Sequence, residues 1–235
     1  SFICTNSKKV KGVTMSCHDH VIYNKAVLAF KNQNLELFQK ILSSLELTWT
    51  EEALLKSREM IGSGYFKQAR KLLLKIHISS SHFLNGERAL LLGHCYAQLH
   101  DVMKSRYSYS AALKEYVVCK DRKGQFLCHL LLGRSLLEGG LIPLSLNHLN
   151  EAKSLALGEH EETLVSRHLA NLYIKSGNER KAMMFVELVL QKSKDLNDHE
   201  RDAFKEFARS FYKKTTQNSA VGRDFSVRTS KDLDH

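Results

Sequence analysis

Proline is almost absent from this sequence, with one residue in 235 where average usage of about 5% would give roughly twelve. Glycine is also sparse, at 12 residues. These two shortages exclude collagen-like and low-complexity classes, and they argue against a turn-rich β-sandwich or a polyproline linker. The shortage of proline favours a mostly helical chain. Because 43% of the residues are hydrophobic and 26% are charged, the chain is also expected to be globular.

Cysteine pairs of the kind that build disulfide frameworks or zinc sites are also missing. The five cysteines are an odd number, and no two of them form a Cys-x-x-Cys motif. We therefore expect a reducing compartment, the cytoplasm and/or the nucleus. No apolar run approaches the roughly 18 residues that a membrane-spanning helix needs, so no membrane association is predicted.

Negative charge is in short supply, because 35 lysines and arginines face 25 aspartates and glutamates and leave a net charge of +10. A basic chain can bind nucleic acid. The cations are dispersed, however, apart from a cluster at Lys114, Lys120, Arg122 and Lys123. The pattern favours a solvated face or a surface for an acidic partner over nucleic-acid binding.

An internal repeat is the strongest positive signal. Small residues recur in two series that are offset by twelve residues, and successive members of each series are 36, 40 and 37 residues apart. The first series is Ser57, Gly93, Gly133 and Ala170, and the second is Ala69, Ser105, Ser145 and Ala182. A period of this length is typical of stacked helical hairpins.

The repeat also predicts where the helices of a hairpin approach each other. Small side chains allow a close crossing, so we expect Gly93 to meet Ser105. Gly64, Gly140 and Gly177 fall at the turns between helices, where a positive φ is often needed. Pro143 falls near the start of a helix, a position that accepts proline.

Three segments are predicted along the chain. Residues 1–17 are a polar, flexible lead-in, residues 18–213 form an α-solenoid, and residues 214–235 are a flexible tail. Thr48 to Glu51 and Asn197 to Glu200 have the spacing of capping boxes, which mark helix starts. The stretch after Asn197 is predicted to be an amphipathic capping helix that closes the repeat.

These positions resemble the tetratricopeptide repeat (TPR) over residues 50–190. The matching residues are Leu92, Gly93, Tyr96, Tyr109 and Ala112, then Leu132, Gly133, Leu136, Gly140, Leu149 and Ala152, and then Leu169, Ala170, Tyr173, Gly177 and Ala182. The resemblance implies an all-α, right-handed superhelical solenoid of TPR-like hairpins. It also implies binding to protein or peptide partners along the inner face.

A narrower resemblance points to one kind of complex. Residues 29–42, 148–154 and 169–185 look like the C-terminal repeats of anaphase-promoting complex subunit 5. That similarity implies a structural subunit of a multisubunit ubiquitin ligase that acts in the cell cycle.

No catalytic, cofactor or metal site is predicted. Cys17, His18, Asp19 and His20 are adjacent, but structural zinc usually takes its ligands from two separated pairs. Glu51 and Glu52 sit at a helix start, where they complement the helix dipole and need no role as an acid–base pair. We therefore expect a non-catalytic scaffold or adaptor, not an enzyme.

A partner groove is predicted from position in the repeat. Its residues are Leu90, His94, Leu130, Arg134, Leu137, Arg167, Asn171 and Lys175. Arg167 and Asn171 resemble half of the carboxylate clamp of some tetratricopeptide domains. Leu130 and Leu137 could instead pack between hairpins. A nucleic-acid-binding helical repeat and a peptide-sensing TPR regulator remain the alternative functions.

Overall fold

A computed structural model describes residues 20–43 and 47–192, together with residues 202, 206, 209 and 210. Those residues form helices and no strand, so the predicted all-α helical repeat is confirmed. The helices in chain order are α1 Val21–Lys31, α2 Leu35–Leu42, α3 Trp49–Gly62, α4 Phe66–Lys75, α5 His82–Gln98, α6 Val102–Val118, α7 Arg122–Glu138, α8 Ile142–Leu155, α9 Glu159–Lys175 and α10 Glu179–Lys192.

The chain divides into two compact units, residues 1–135 and 136–235, with the division near the end of α7. In the first unit α1 packs on α2, α3 on α4 and α5 on α6, and α3 also contacts both α1 and α5. In the second unit α9 packs on α8 and α10. The handedness of a superhelix stays a prediction.

The small residues of the repeat are buried, and one predicted helix crossing is confirmed. All eight positions of the two small-residue series are buried. At the crossing of α5 and α6 the Ser105 hydroxyl donates a 3.0 Å hydrogen bond to the carbonyl oxygen of Gly93. A Cβ atom on Gly93 would lie 2.4 Å from the Tyr109 ring, so no larger residue fits this crossing.

The turns between paired helices contain a residue in the left-handed region. Gly64, Gly140 and Gly177 have φ values of 82°, 75° and 72°, which confirms the predicted turn glycines. Gln33 and His100 take the same conformation at the α1–α2 and α5–α6 turns, with φ values of 57° and 61°. Side chains rarely adopt this backbone conformation, so both positions store strain.

Helix starts follow the local sequence signals. Thr48 and Glu51 form the predicted capping box of α3, and Pro143 lies in the first turn of α8. The predicted lead-in and tail, and the Asn197 capping box, lie outside the described residues. Of the predicted capping helix, only residues 202, 206, 209 and 210 are described, and all four are helical and exposed.

Candidate partner-binding surface

The three leucines of the predicted groove are core residues. Leu90, Leu130 and Leu137 are all buried, so they cannot contact a partner in this structure. Leu90 lies on α5, which packs against α3, α4 and α6, so its inward face in the repeat is a packing face. The expectation that these leucines line a groove is corrected, and the alternative that Leu130 and Leu137 pack inside is the better description.

The polar members of the predicted groove are divided between the two units. His94 is half-buried and Arg134 is exposed in the first unit, whereas Arg167 and Asn171 are half-buried one turn apart on α9. Lys175 of α9 is exposed, and its Nζ donates to the carbonyl oxygen of Leu137 at 3.3 Å. Partner contact by these five residues stays a prediction.

His94 sits in an environment that disfavours its charged form. Its Nδ1 lies 3.4 Å from the Tyr109 hydroxyl, and the two rings meet edge to face. Burial lowers the pKa of His94 from 6.5 to about 4, with Arg58 and Arg134 adding to the effect and Glu87 opposing it. The imidazole is therefore neutral at physiological pH.

A buried polar network that the sequence did not predict is centred on Glu87. The Tyr23 hydroxyl donates to Oε2 of Glu87 at 2.6 Å, and the Tyr116 hydroxyl donates to Oε1 at 2.8 Å. The Arg58 guanidinium donates to the same Oε2. The network joins α1, α3, α5 and α6 of the first unit.

The network keeps its charges because they are paired. Burial alone would raise the pKa of Glu87, but Arg58 and the two tyrosine hydroxyls offset it and hold the pKa below 4.5. Burial also raises the pKa of both tyrosines well above 10.0. The network is thus an ion pair with two neutral donors. The buried Glu87 carboxylate accepts three hydrogen bonds, whereas Nε of Arg58 has no hydrogen-bond partner among the described residues.

A second polar cluster joins the N-terminal ends of α1, α3 and α5. His20 Nδ1 lies 2.8 Å from Oε1 of Glu51, and His20 Nε2 lies 2.9 Å from Oγ of Ser81. The three residues line a cavity of about 460 Å³. The order serine, histidine, carboxylate is that of a catalytic triad.

Ser81 and Glu51 of this cluster also cap helices. Ser81 caps α5 by accepting from the backbone N–H of Leu84, and Oε2 of Glu51 accepts from both the backbone N–H and the hydroxyl of Thr48. Burial would raise the pKa of Glu51, but the bonds from Thr48 and His20 lower it overall. These hydrogen bonds connect the N-terminal ends of α1, α3 and α5. We therefore assign the cluster a structural role and not a catalytic one.

Carboxylates between residues 47 and 118 are all engaged within the protein. Each of the six accepts a hydrogen bond or forms an ion pair, and two of them belong to the clusters above. The others pair as Glu52 with Lys56, Glu59 with Gln39, Asp101 with Lys104, and Glu115 with His82. None of the six forms an ion pair with a cation of α4, although Arg70 adds to the effect of Lys104 in lowering the pKa of Asp101.

The cations of α4 form an outward stripe. Lys67, Arg70, Lys71 and Leu74 follow the spacing i, i+3, i+4 and i+7, which places them on one face of the helix. The opposite face holds Ala69 and Leu73, which are buried. In the part of the chain that the structure describes, no carboxylate lies within ion-pair distance of these three cations.

Arg70 of α4 is held against an aromatic ring. Its guanidinium carbon lies 5.8 Å from the centroid of the Tyr96 ring on α5. The ammonium group of Lys104 on α6 lies 5.7 Å from the same centroid. Tyr96 therefore connects the basic stripe of α4 with the exposed surface of α6 through cation–π contacts.

Large apolar side chains are exposed on the same helices. On α6 Met103 and Tyr107, one turn apart, are 74% and 77% exposed. Leu74 of α4 is 55% exposed, and Ile78, just beyond α4, is 79% exposed. We call these four residues together with Lys67, Arg70 and Lys71 the outer surface of the first unit.

Comparison with solved structures finds structures of MamA that are similar to this chain. A point mutant of MamA has a TM-score of 0.48 and 16% identity, over 74% of this chain and 97% of that chain. A second structure, MamA AMB-1, has a TM-score of 0.48 and 15% identity, over 77% of this chain and 95% of that chain. No family model and no curated protein matches the sequence.

The described residues contain neither a metal-ligand cluster nor a membrane-spanning helix. Among residues 20–43 and 47–192 no group of three histidine, cysteine or acidic side chains is placed to hold a metal ion. No helix there is long and apolar enough to cross a bilayer. Of the four adjacent residues considered as zinc ligands in the sequence, Cys17, His18 and Asp19 lie outside the described residues. His20 is within hydrogen-bond distance of Glu51 and Ser81.

The outer surface was missed by sequence reasoning, although a signal for it exists. The segment from Phe66 to Lys75 contains four cations and no acid. The charge cluster that the sequence indicated was Lys114, Lys120, Arg122 and Lys123 instead. Helical spacing, which brings Lys67 and Lys71 onto one face, is the signal that would have found α4.

Proposed function

We propose that this chain is a non-catalytic helical-repeat scaffold or adaptor that binds a protein partner through α4 and α6. The observation that supports this proposal is the exposure of Met103 and Tyr107 one turn apart on α6. Methionine and aromatic side chains are enriched at protein interfaces, where they bury a large contact area. Leu74 of α4 and Ile78 just beyond it are further exposed apolar side chains of the same unit.

Site-specific photo-cross-linking tests the proposal. A photoreactive amino acid in place of Tyr107 is expected to capture a defined protein in cells, and the same group in place of the exposed Met184 of α10 is not. Capture through a cross-linker at position 107 should disappear in the variant Met103→Ser/Leu74→Ser. Equal capture at the two positions, or capture that survives this variant, would contradict a partner site on α4 and α6.

A narrower proposal is that the partner complex is a multisubunit ubiquitin ligase in the cytoplasm or nucleus. It is supported by the sequence resemblance over residues 29–42, 148–154 and 169–185. Affinity purification under gentle lysis followed by mass spectrometry tests it. Recovery of cullin-type ligase subunits is expected, and their absence while another partner is recovered would exclude this complex but not the scaffold role.

A further inference from the structure

We propose that the basic stripe of α4 binds an acidic, amphipathic helical segment of the partner protein, with Arg70 as the anchor for one of its carboxylates. The inference deepens the proposed function and rests on it. It concerns Lys67, Arg70, Lys71 and Leu74, which project outward from α4 on one face. Four properties of these residues support it.

The first property is that the stripe opposes the stability of its own helix. Lys67 lies in the first turn of α4, where the helix dipole disfavours a cation, and that turn has no acidic residue and no side-chain cap. Lys67 and Lys71 are four residues apart, as are Lys71 and Lys75, and like charges at this spacing repel each other. An ordinary solvated face mixes both signs of charge, whereas this face carries one.

The second property is that the cations of the stripe form no ion pair with the described residues; Asp101 acts on Arg70 only from beyond ion-pair distance. All six carboxylates between residues 47 and 118 are engaged elsewhere, as described above. Among the described residues no carboxylate lies within ion-pair distance of Lys67, Arg70 or Lys71. An acidic partner would supply the missing counter-charges.

The third property is that the Arg70 side chain is already held in position before any partner binds. The side chain is half-buried, and contact with the Tyr96 ring restricts where its guanidinium can point. A planar guanidinium presents paired N–H donors that match the two oxygens of a carboxylate. Because the group is already positioned, it loses less conformational entropy on binding than a free surface arginine would.

The fourth property is the apolar end of the stripe, which selects among acidic partners. Leu74 shares the face with the cations, and Ile78 follows just beyond the helix. A nucleic-acid backbone would neutralise the lysines but would offer no apolar group to Leu74. A helix with acidic residues and leucines on one face complements both parts of the stripe, and its period matches that of α4.

Binding of defined probes tests the inference. The main probe is a fluorescein-labelled synthetic peptide of about five helical turns, with glutamates and leucines on one face. The comparison probes are a peptide of the same composition in scrambled order, a single-stranded thymidine oligonucleotide of equal charge, and vesicles of phosphatidylserine and phosphatidylcholine. Affinity is measured by fluorescence anisotropy for the soluble probes and by co-sedimentation for the vesicles.

The amphipathic peptide is expected to bind at least about fivefold more tightly than the scrambled peptide. Lys67→Glu/Lys71→Glu should weaken it by about tenfold or more, because two attractive contacts become repulsive. The matched control Lys114→Glu/Lys25→Glu changes the net charge equally on α6 and α1 and should alter binding by less than about twofold. Arg70→Lys should weaken binding about fivefold, since the charge remains but the paired donors are lost.

The remaining outcomes overturn the inference. An equal loss of peptide affinity in the two double variants would mean that only net charge matters. Unchanged peptide affinity in Arg70→Lys would show that Arg70 does not anchor a carboxylate. Tighter binding of the oligonucleotide or the vesicles, abolished by Lys67→Glu/Lys71→Glu, would assign the stripe to nucleic acid or membrane. If the cross-link at position 107 persists in that variant, the scaffold role stands and only this inference fails.

Discussion

The Tyr116 hydroxyl donates a 2.8 Å hydrogen bond to Oε1 of Glu87 in the interior of the first unit. Oε2 of the same carboxylate accepts from Tyr23 and Arg58. Helices α1, α3 and α6 are therefore connected through one side chain of α5. Hydrophobic packing alone allows neighbouring helices to slide, whereas a hydrogen-bonded carboxylate fixes their positions relative to each other.

Glu87→Gln is expected to destabilise the protein strongly. The neutral amide keeps the shape but leaves the buried charge of Arg58 without its counter-charge, which costs about 3 kcal/mol. Urea denaturation of the purified protein measures this loss. Glu115→Gln removes a more exposed carboxylate, the partner of His82, and should cost less than about 1 kcal/mol. Similar losses in the two variants would contradict the network's role.

The free energy of unfolding is expected to decrease as the pH is lowered, because His94 becomes protonated. Burial, with help from Arg58, lowers its pKa from 6.5 to about 4, so the unfolded chain binds more protons between these values. The contribution of neutral His94 is therefore complete above about pH 6.5 and is lost as the pH falls towards 4. His94→Gln should flatten this part of the stability profile, whereas His100→Asn should not. An unchanged slope in His94→Gln would exclude His94 as its source.

The sequence predicted the backbone geometry better than the polar interior. Spacing alone located the Gly93–Ser105 crossing and the turn at Gly64, because close approach and positive φ demand particular residue types. It failed for Leu130, since one helical face can pack inward or face a groove with the same periodicity. It also missed Glu87, because its partners come from three other helices and no local pattern connects them.

Replacing His100 with glycine is expected to stabilise the first unit. His100 has a φ of 61°, a conformation that costs a residue with a side chain about 1 kcal/mol and costs glycine little. His100→Gly should therefore raise the free energy of unfolding by roughly 0.5 kcal/mol after the extra freedom of the unfolded chain is counted. Thermal melting measures the change. Lys25→Gly in the exposed middle of α1 should lower stability by about 1 kcal/mol.

Ser81 is expected to act as a helix cap and not as a nucleophile. Its hydroxyl accepts from the backbone N–H of Leu84 and lies 2.9 Å from His20 Nε2. Ser81→Ala should cost about 1 to 2 kcal/mol of stability, the loss of a cap and a buried hydrogen bond. A fluorophosphonate probe, which labels activated serines, should leave Ser81 unmodified. Labelling that disappears in both Ser81→Ala and His20→Ala would contradict the structural assignment.

Lys67→Glu is expected to change stability and partner binding in opposite directions. A carboxylate in the first turn of α4 favours the helix dipole, and at four residues before Lys71 it replaces repulsion by attraction. Together these effects should raise the free energy of unfolding by about 0.5 to 1 kcal/mol, measured by urea denaturation.

The same substitution should weaken binding of the acidic amphipathic peptide, because it removes one of the cations of the stripe. Lys75→Glu is the matched control: it makes the same charge change in the last turn of α4, where the lost dipole interaction opposes the new attraction to Lys71, so it should stabilise the protein less than Lys67→Glu does. Under the proposed function, the charge of Lys67 serves the partner and not the stability of α4. If Lys67→Glu lowers stability, or raises it without weakening binding of the peptide, the stripe is an ordinary solvated surface.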